Sequence, residues 1–317
     1  MTTCTVRSVD GDETDEWGDV IVDAPWRPAI DVRAVAARLP RETLSVSDVP
    51  WSRFNHCCGS AKGVPDHLDR LHDHDPDRAA KELRWFGDLV CHQNTTSAPG
   101  ALAVPFLVRI SADHSLPHRA QSLVLVGNLA RYNFWGFEDR NGLLDVRGSG
   151  LYYDPSGYPA TWSVTAARYL VDTCADTLLD LLGEDSSALR CAAAYALATG
   201  AADRADVTAA LQRRLAAETV PSAQVSAVLA LAQRAREHGS GAAALQWVSD
   251  LCLDRQAPDG VRYGAVIAWL CLTTAPVPAE LAHVFHEKII PDLQDVPWLS
   301  YVEQVPGLRT WQARMTA

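Results

Sequence analysis

The sequence predicts an all-α protein made of stacked helical pairs. Apolar residues recur every three or four positions through most of residues 161–273, and very short connections separate the resulting segments. A short residue pattern also returns at a nearly regular distance, as in repeat proteins. The chain has 317 residues, of which 48% are apolar and 21% charged, so it can bury a sizeable core.

Residues 1–50 do not fit the repeat. Seven carboxylates lie between residues 10 and 23 without a cation among them, which predicts an acidic, partly disordered segment. The alternative is an acidic arm that covers the basic surface of a partner. The start of the chain lacks the apolar stretch of a secretion signal, and no apolar run is long enough to span a membrane. We therefore expect a cytoplasmic protein whose eight cysteines are reduced thiols.

Residues 51–131 are predicted to form the N-terminal repeats. Asp75, Pro76 and Asp77 are typical of a helix start, with an N-cap, a proline in the first turn and a carboxylate at the positive end. We interpret the neighbouring histidines as part of a turn, because their spacing matches no zinc pattern. These histidines are His67, His72 and His74.

Two further segments of this region carry cysteine and histidine. In residues 54–60, we do not expect His56 and Cys57 to form a catalytic pair, since adjacent side chains point in different directions. His92, Gln93 and Asn94 are expected to cap the end of a long helix, where an imidazole suits the negative dipole end. A ligand site at these three residues is the alternative.

Residues 132–160 interrupt the repeat and are predicted to be an aromatic, glycine-rich insertion. Eight of the 24 aromatic residues lie within 131–162, and Gly and Pro are frequent there. A connection of this length is usually functional, and its aromatic content is typical of interface anchors. The aromatic residues are Tyr132, Phe134, Trp135, Phe137, Tyr152, Tyr153, Tyr158 and Trp162. The alternative is that they fold back and fill a gap in the helical stack.

Residues 161–317 are predicted to form the C-terminal repeats. One amphipathic helix is expected from residue 161 to Gly183, and Ser186 or Ser187 can cap the next helix. Further helical pairs follow to residue 273, and a last helix is expected in residues 277–289.

The repeated pattern places one polar residue near the start of the second helix of each pair. These residues are Arg78, Arg119, Arg190, Gln224 and Arg262, separated by 41, 71, 34 and 38 residues. With the alanine-rich run from Leu178 to Leu197, this pattern resembles the HEAT/armadillo-like family. The resemblance implies a right-handed α-solenoid of HEAT-like helical hairpins with an aromatic-rich loop insertion, in which the arginine bridges neighbouring turns. Trp51-Ser52, Gly59-Ser60-Ala61 and the 103–107 run further resemble a group of actinobacterial HEAT-repeat proteins.

The charge balance favours a basic protein partner. The 28 Lys and Arg residues against 39 Asp and Glu residues give a net charge of −11, which opposes binding to nucleic acid. Solenoids offer extended surfaces for recognition, so the first hypothesis is a non-catalytic immunity-like, antitoxin-like or scaffold protein. We expect no metal, cofactor or membrane partner. The predicted binding residues are Tyr132, Phe134, Trp135, Phe137, Tyr152, Tyr153, Tyr158 and His92.

The second hypothesis is an enzyme or small-molecule binder of secondary metabolism. Its pocket would lie between the insertion and the inner helices, with Glu138 or Asp139 as the acid or base. The chain contains no G-x-S-x-G, P-loop, G-x-G-x-x-G or H-E-x-x-H motif. HEAT-like deoxyhypusine hydroxylases carry several His-Glu pairs, whereas this sequence has only His286-Glu287. The sequence leaves open whether the protein is an enzyme.

Overall fold

The protein is described here from a computed structural model. It describes residues 30–40, 43–93, 95–132, 140, 142–147, 153–287, 290, 292–300, 302 and 307–316. This part of the chain is predominantly helical, as the sequence predicts. Among these residues, no helix combines the length and the apolar character that a membrane span requires.

The N-terminal part contains one helix that the sequence did not predict. Helix α1 (Val32–Arg38) begins at Asp31, whose carboxylate accepts a hydrogen bond from the backbone N–H of Arg33. Val32 is fully buried, and α1 packs against helix α6 (Ala160–Thr173). Residues 30–40 therefore belong to the folded body, whereas the acidic stretch 10–23 lies outside the described residues.

Two short β-hairpins lie between the first helices. The first pairs β1 (Asn55–His56) with β2 (Gly59–Ser60), and the second pairs β3 (Cys91–His92) with β4 (Thr95–Thr96). The helices of this region are α2 (Val64–Arg70), α3 (Pro76–Val90), α4 (Ala98–Ala112) and α5 (Arg119–Leu129). Asp75 caps α3 by accepting from the backbone N–H groups of Asp77 and Arg78, which confirms the predicted helix start.

The C-terminal part is a series of short helices after α6. They are α7 (Ala175–Leu181), α8 (Ser187–Leu197), α9 (Ala205–Ala217), α10 (Pro221–Glu237), α11 (Gly241–Leu253), α12 (Asp259–Leu272), α13 (Ala279–Glu287) and α14 (Leu308–Thr316). The single helix predicted from residue 161 to Gly183 is wrong. The chain turns at Cys174, whose N–H bonds to the carbonyls of Leu170 and Val171, and α7 begins at the next residue.

Helices α5, α8, α10 and α12 contact one another in succession and carry much of the core. The residues of the predicted repeat lie in the first turns of their helices. Arg190 donates to the carbonyls of Glu184 and Asp185 and pairs with Glu218 at 2.8 Å, while Gln224 donates to the Glu218 carbonyl. Arg190 and Gln224 thus each tie a helix start to a neighbouring connection.

The faces of these helices are covered by two other segments. Leu143, Leu144 and Val146 of the insertion are buried, and Arg140 donates to the carbonyl of Met315 at 2.6 Å. Near the C-terminus, Trp298 packs edge-on against a tyrosine of α8, with ring centres 4.8 Å apart. The insertion and the C-terminal segment therefore pack into the core of the helical body.

Candidate functional site

A groove of about 380 Å³ opens where the two hairpins meet the end of the insertion. It brings together three segments that are far apart in the sequence. The lining residues are Cys57, Leu89, His92, Gln93, Thr95, Ser97, Tyr153 and Pro155. Two of the predicted binding residues, His92 and Tyr153, are therefore part of one surface.

The first hairpin contributes Cys57 to the groove. It has a two-residue loop, Cys57-Cys58, between the pair His56 and Gly59, and Gly59 adopts a φ of +118° that favours glycine. The backbone N–H of Asn55 donates to the hydroxyl of Ser156 at 3.0 Å. This bond attaches the hairpin to the insertion and sets one wall of the groove.

The second hairpin places His92 and Gln93 at the opposite wall. The prediction that these residues cap the end of α3 is wrong, because α3 ends at Val90 and the chain reverses through β3 and β4. Ser97 closes the reversal by donating both its N–H and its hydroxyl to the Val90 carbonyl, at 2.9 and 2.8 Å. Gln93 occupies the turn with a φ of +47°, and Asn94 lies outside the described residues.

The buried Asp154 holds the third wall in place. Its carboxylate accepts hydrogen bonds of 2.7 Å from the N–H groups of Ala98 and Ser156 and from the Ser163 hydroxyl. Burial raises the pKa of this carboxyl, although the hydrogen bonds act in the opposite direction. Asp154 thereby ties the insertion to the starts of α4 and α6, and its oxygens are occupied by structural contacts.

The groove lies at the C-terminal end of α3, where the helix dipole is negative and carbonyl groups lack helical partners. The Cys57 sulfur lies 3.4 Å from the Leu89 carbonyl and 3.7 Å from that of Asp88. Burial, the neighbouring Cys58 and the charge of Asp88 together raise the pKa of the Cys57 thiol to about 11. This thiol is protonated at neutral pH and is a poor nucleophile.

The expectation that the side chains of His56 and Cys57 point in different directions is wrong, because their donor atoms lie within 4.8 Å of each other. The tight loop turns both cysteines to one side, so that their sulfurs lie 3.5 Å apart. The backbone N–H of Cys58 donates to Nδ1 of His56 at 3.1 Å. The donor atoms of the three residues all lie within 4.8 Å of one another.

The three histidines of residues 67–74 turn to different partners. Nδ1 of His67 lies 2.6 Å from Glu82, that of His72 is 3.1 Å from the Leu68 carbonyl, and that of His74 is 3.2 Å from the Ser115 carbonyl. These contacts, with the Asp75 cap, are those of a turn between α2 and α3.

Two of the predicted aromatic residues belong to the core. Tyr132 is 8% exposed and its N–H donates to the Val146 carbonyl, while Tyr158 is 2% exposed and stacks on Trp162 at 5.4 Å. The guanidinium of Arg33 also lies over the Trp162 ring, 3.7 Å from the ring centre. The other predicted site residues lie outside the described residues; they are Phe134, Trp135, Phe137, Glu138, Asp139 and Tyr152.

Four arginines between residues 204 and 236 are bound to other groups of the protein. Arg204 pairs with Asp206 and Asp176, and the buried Arg234 donates to the carbonyls of Leu197 and Ala202. Arg214 pairs with Glu218, and Arg236 donates to the Cys271 carbonyl. Most of this positive charge is therefore engaged within the fold.

Sequence reasoning missed Asp154 as the residue that organises the groove. The signal was present, since Asp154-Pro155-Ser156-Gly157 is a typical turn sequence. The partners of the carboxylate come from α4 and α6, and only the tertiary structure brings these helices together.

A comparison of the chain with models of known protein families found no match. A comparison with curated proteins found no similar sequence either.

Proposed function

We propose that this protein is a non-catalytic α-solenoid of HEAT-like hairpins that binds a basic protein partner. The groove between the two hairpins and Tyr153 is the surface that we assign to this binding. The observation that carries the proposal is the chemistry of this groove, which combines an electronegative end with an aromatic wall.

The groove suits a lysine or arginine side chain. The groove lies at the C-terminal end of α3, where the negative end of the helix dipole attracts a cation. The exposed Asp88 lies near the groove, where its charge acts on Cys57, and the aromatic ring of Tyr153 lines the groove; a guanidinium or ammonium group binds favourably to both kinds of group. A cationic side chain would therefore gain both charge and aromatic contacts.

Several features support binding rather than catalysis at this groove. The Cys57 thiol has a raised pKa, and the oxygens of Asp154 are held by three structural hydrogen bonds. Neither group is placed to act as a nucleophile or a base toward a ligand in the groove. The net charge of −11 adds long-range attraction for a basic partner.

The links between successive helices support the solenoid part of the proposal. Arg119 reaches Glu184 just before α8 at 2.7 Å, and Arg190 reaches Glu218 just before α10, so these two positions each contact the start of the next helix in the row. The row α5, α8, α10 and α12 has the nearest-neighbour contacts that stacked hairpins make. The seven described cysteines carry free thiols, which fits the reducing cytoplasm that we propose as its location.

The test is capture of partners from native cell extract by the full chain and by two groove variants. Tyr153→Ala removes the aromatic wall, and Asp88→Asn removes one charge. If Tyr153 is an anchor, its loss should weaken binding by about 2 kcal/mol, or about 30-fold in Kd. Asp88→Asn should mainly slow association and reduce its dependence on salt.

The matched control is Asp180→Asn, which removes an equally exposed charge at the end of α7. It should leave affinity for the captured partner unchanged. Equal affinity of all four proteins for a basic partner would disprove the groove assignment. Capture of acidic proteins or of none would contradict the proposed partner class.

A further inference from the structure

The loop of the first hairpin concentrates metal-binding atoms on the surface. It offers two thiols and one imidazole, from Cys57, Cys58 and His56, and these donor atoms all lie within 4.8 Å of one another. Thiolate and imidazole together are the donors that zinc prefers in proteins. No other group of this kind is found among the residues that the structure describes.

The hairpin holds these donors in place before any ion arrives. The pairs Asn55 with Ser60 and His56 with Gly59 fix the register and leave only Cys57 and Cys58 in the loop. The His56 ring is held by the N–H of Cys58 and by a hydrogen bond with the backbone of Ser60. A hydrogen bond made by the ring nitrogen that does not bind the metal commonly orients a histidine ligand.

We propose that His56, Cys57 and Cys58 form a zinc-binding site with an open coordination position. The sulfurs are 3.5 Å apart, close to the roughly 3.8 Å that two thiolates adopt on a tetrahedral zinc with Zn–S bonds of about 2.3 Å. On binding, the two thiols release their protons to solvent, and one imidazole nitrogen of His56 joins the two sulfurs on the ion.

The fourth position is left to water or to a donor from another molecule. Three protein ligands with one open position distinguish such a site from a closed structural zinc site with four. Both cysteines are exposed, so the ion would be accessible from solvent. Cys57 also lines the groove, which would place the ion beside the proposed binding surface.

The test is a Zn²⁺ titration of the reduced full chain against a chromophoric chelator. We expect one ion per chain in this competition. Cys57→Ser, Cys58→Ser and His56→Gln should each weaken binding at least about tenfold, because each removes a direct ligand. With Co²⁺ as the probe, the thiolate-to-metal absorption should appear in the natural protein and fade in either cysteine variant.

Two substitutions serve as controls, one for each ligand type. Cys91→Ser removes a half-buried thiol from the second hairpin, and His283→Gln removes an exposed imidazole on α13; neither should change zinc affinity. Thermal unfolding confirms that each variant is folded. Failure of the natural chain to compete for Zn²⁺, or equal affinity in the variants of residues 56–58, would overturn the assignment. The outcome is independent of whether a basic protein binds the groove.

Discussion

Glu237, in the last turn of α10, accepts hydrogen bonds from two arginines that come from different parts of the chain. Its carboxylate lies 2.6 Å from Arg168 of α6 and 2.8 Å from Arg147 of the insertion. Burial by itself would raise the pKa of this carboxyl, but the two arginines outweigh it and hold the pKa below the ordinary value of 4.5. The ion pairs thus stabilise the charged form in the folded protein.

Glu237→Gln should lower the free energy of unfolding at neutral pH by about 3 kcal/mol, because it leaves Arg168 buried without its countercharge. Since the folded-state pKa is depressed, the stabilisation is complete above the unfolded value and is lost as pH falls through the folded value. The difference between the two proteins should therefore shrink below about pH 4.5. Urea unfolding of both proteins between pH 7 and pH 3 measures this difference in the free energy of unfolding.

An exposed ion pair provides the contrast. Arg78 is 71% exposed where it pairs with Asp73, so solvent screens the pair and Arg78→Gln should leave the free energy of unfolding nearly unchanged. A Glu237→Gln difference that stays constant from pH 7 to pH 3 would show that the carboxylate charge is not the stabilising feature.

At the scale of elements, the contact between α5 and α8 depends on a glycine. A Cβ atom at Gly127 of α5 would overlap the ring of Tyr195 on α8. The ring is held in place, because its hydroxyl donates to Asn128 at 2.8 Å and it packs against Trp298 with ring centres 4.8 Å apart. The absence of a side chain at Gly127 therefore sets how closely the two helices approach.

Gly127→Ala should destabilise the protein by about 1–3 kcal/mol through overpacking, despite the better helix propensity of alanine. Gly87→Ala in α3 is the matched change. Its Cβ would meet Leu125 at an ordinary 3.7 Å, so it should stabilise the protein by about 0.5–1 kcal/mol. Chemical denaturation of both variants measures whether each change raises or lowers the free energy of unfolding. A stabilising Gly127→Ala would refute the close approach of α5 and α8.

At the scale of the whole molecule, Gln233 joins three distant segments. Its amide oxygen accepts from Arg131, just before the insertion, and from Nε1 of Trp298 at 2.9 Å. Its amide nitrogen donates to the Ala198 carbonyl, just after α8, at 2.7 Å. Arg131 also lies over the Tyr195 ring, 4.4 Å from its centre. One buried side chain thus connects the insertion, α8, α10 and the C-terminal segment.

Gln233→Leu keeps the approximate volume but leaves three buried polar groups without this partner. We expect a loss of about 3 kcal/mol or more in the free energy of unfolding. Since the segments share one core, helical circular dichroism and tryptophan fluorescence should change together during unfolding. An exposed amide on α11 serves as the control, and Gln246→Leu should change stability by less than about 0.5 kcal/mol. Separate transitions for the two signals would contradict a single cooperative unit.

The sequence by itself determined the helical class and most helix starts. Apolar spacing and the caps Asp75 and Ser186 are local signals, because each acts within one or two turns of chain. The repeated positions Arg190 and Gln224 were also visible, since each recurs in the first turn of a helix. The break at Cys174 was not visible, because the apolar stripe runs through it without interruption.

Only the tertiary structure decided the candidate site. The groove unites His92 and Tyr153 because Asp154 binds the starts of two helices that the sequence separates by more than fifty residues. The convergence of Cys57 and Cys58 likewise depends on strand register and on the left-handed backbone at Gly59. Helix formation is governed by neighbours along the chain, whereas a site depends on contacts between distant segments, and residue spacing does not encode those contacts.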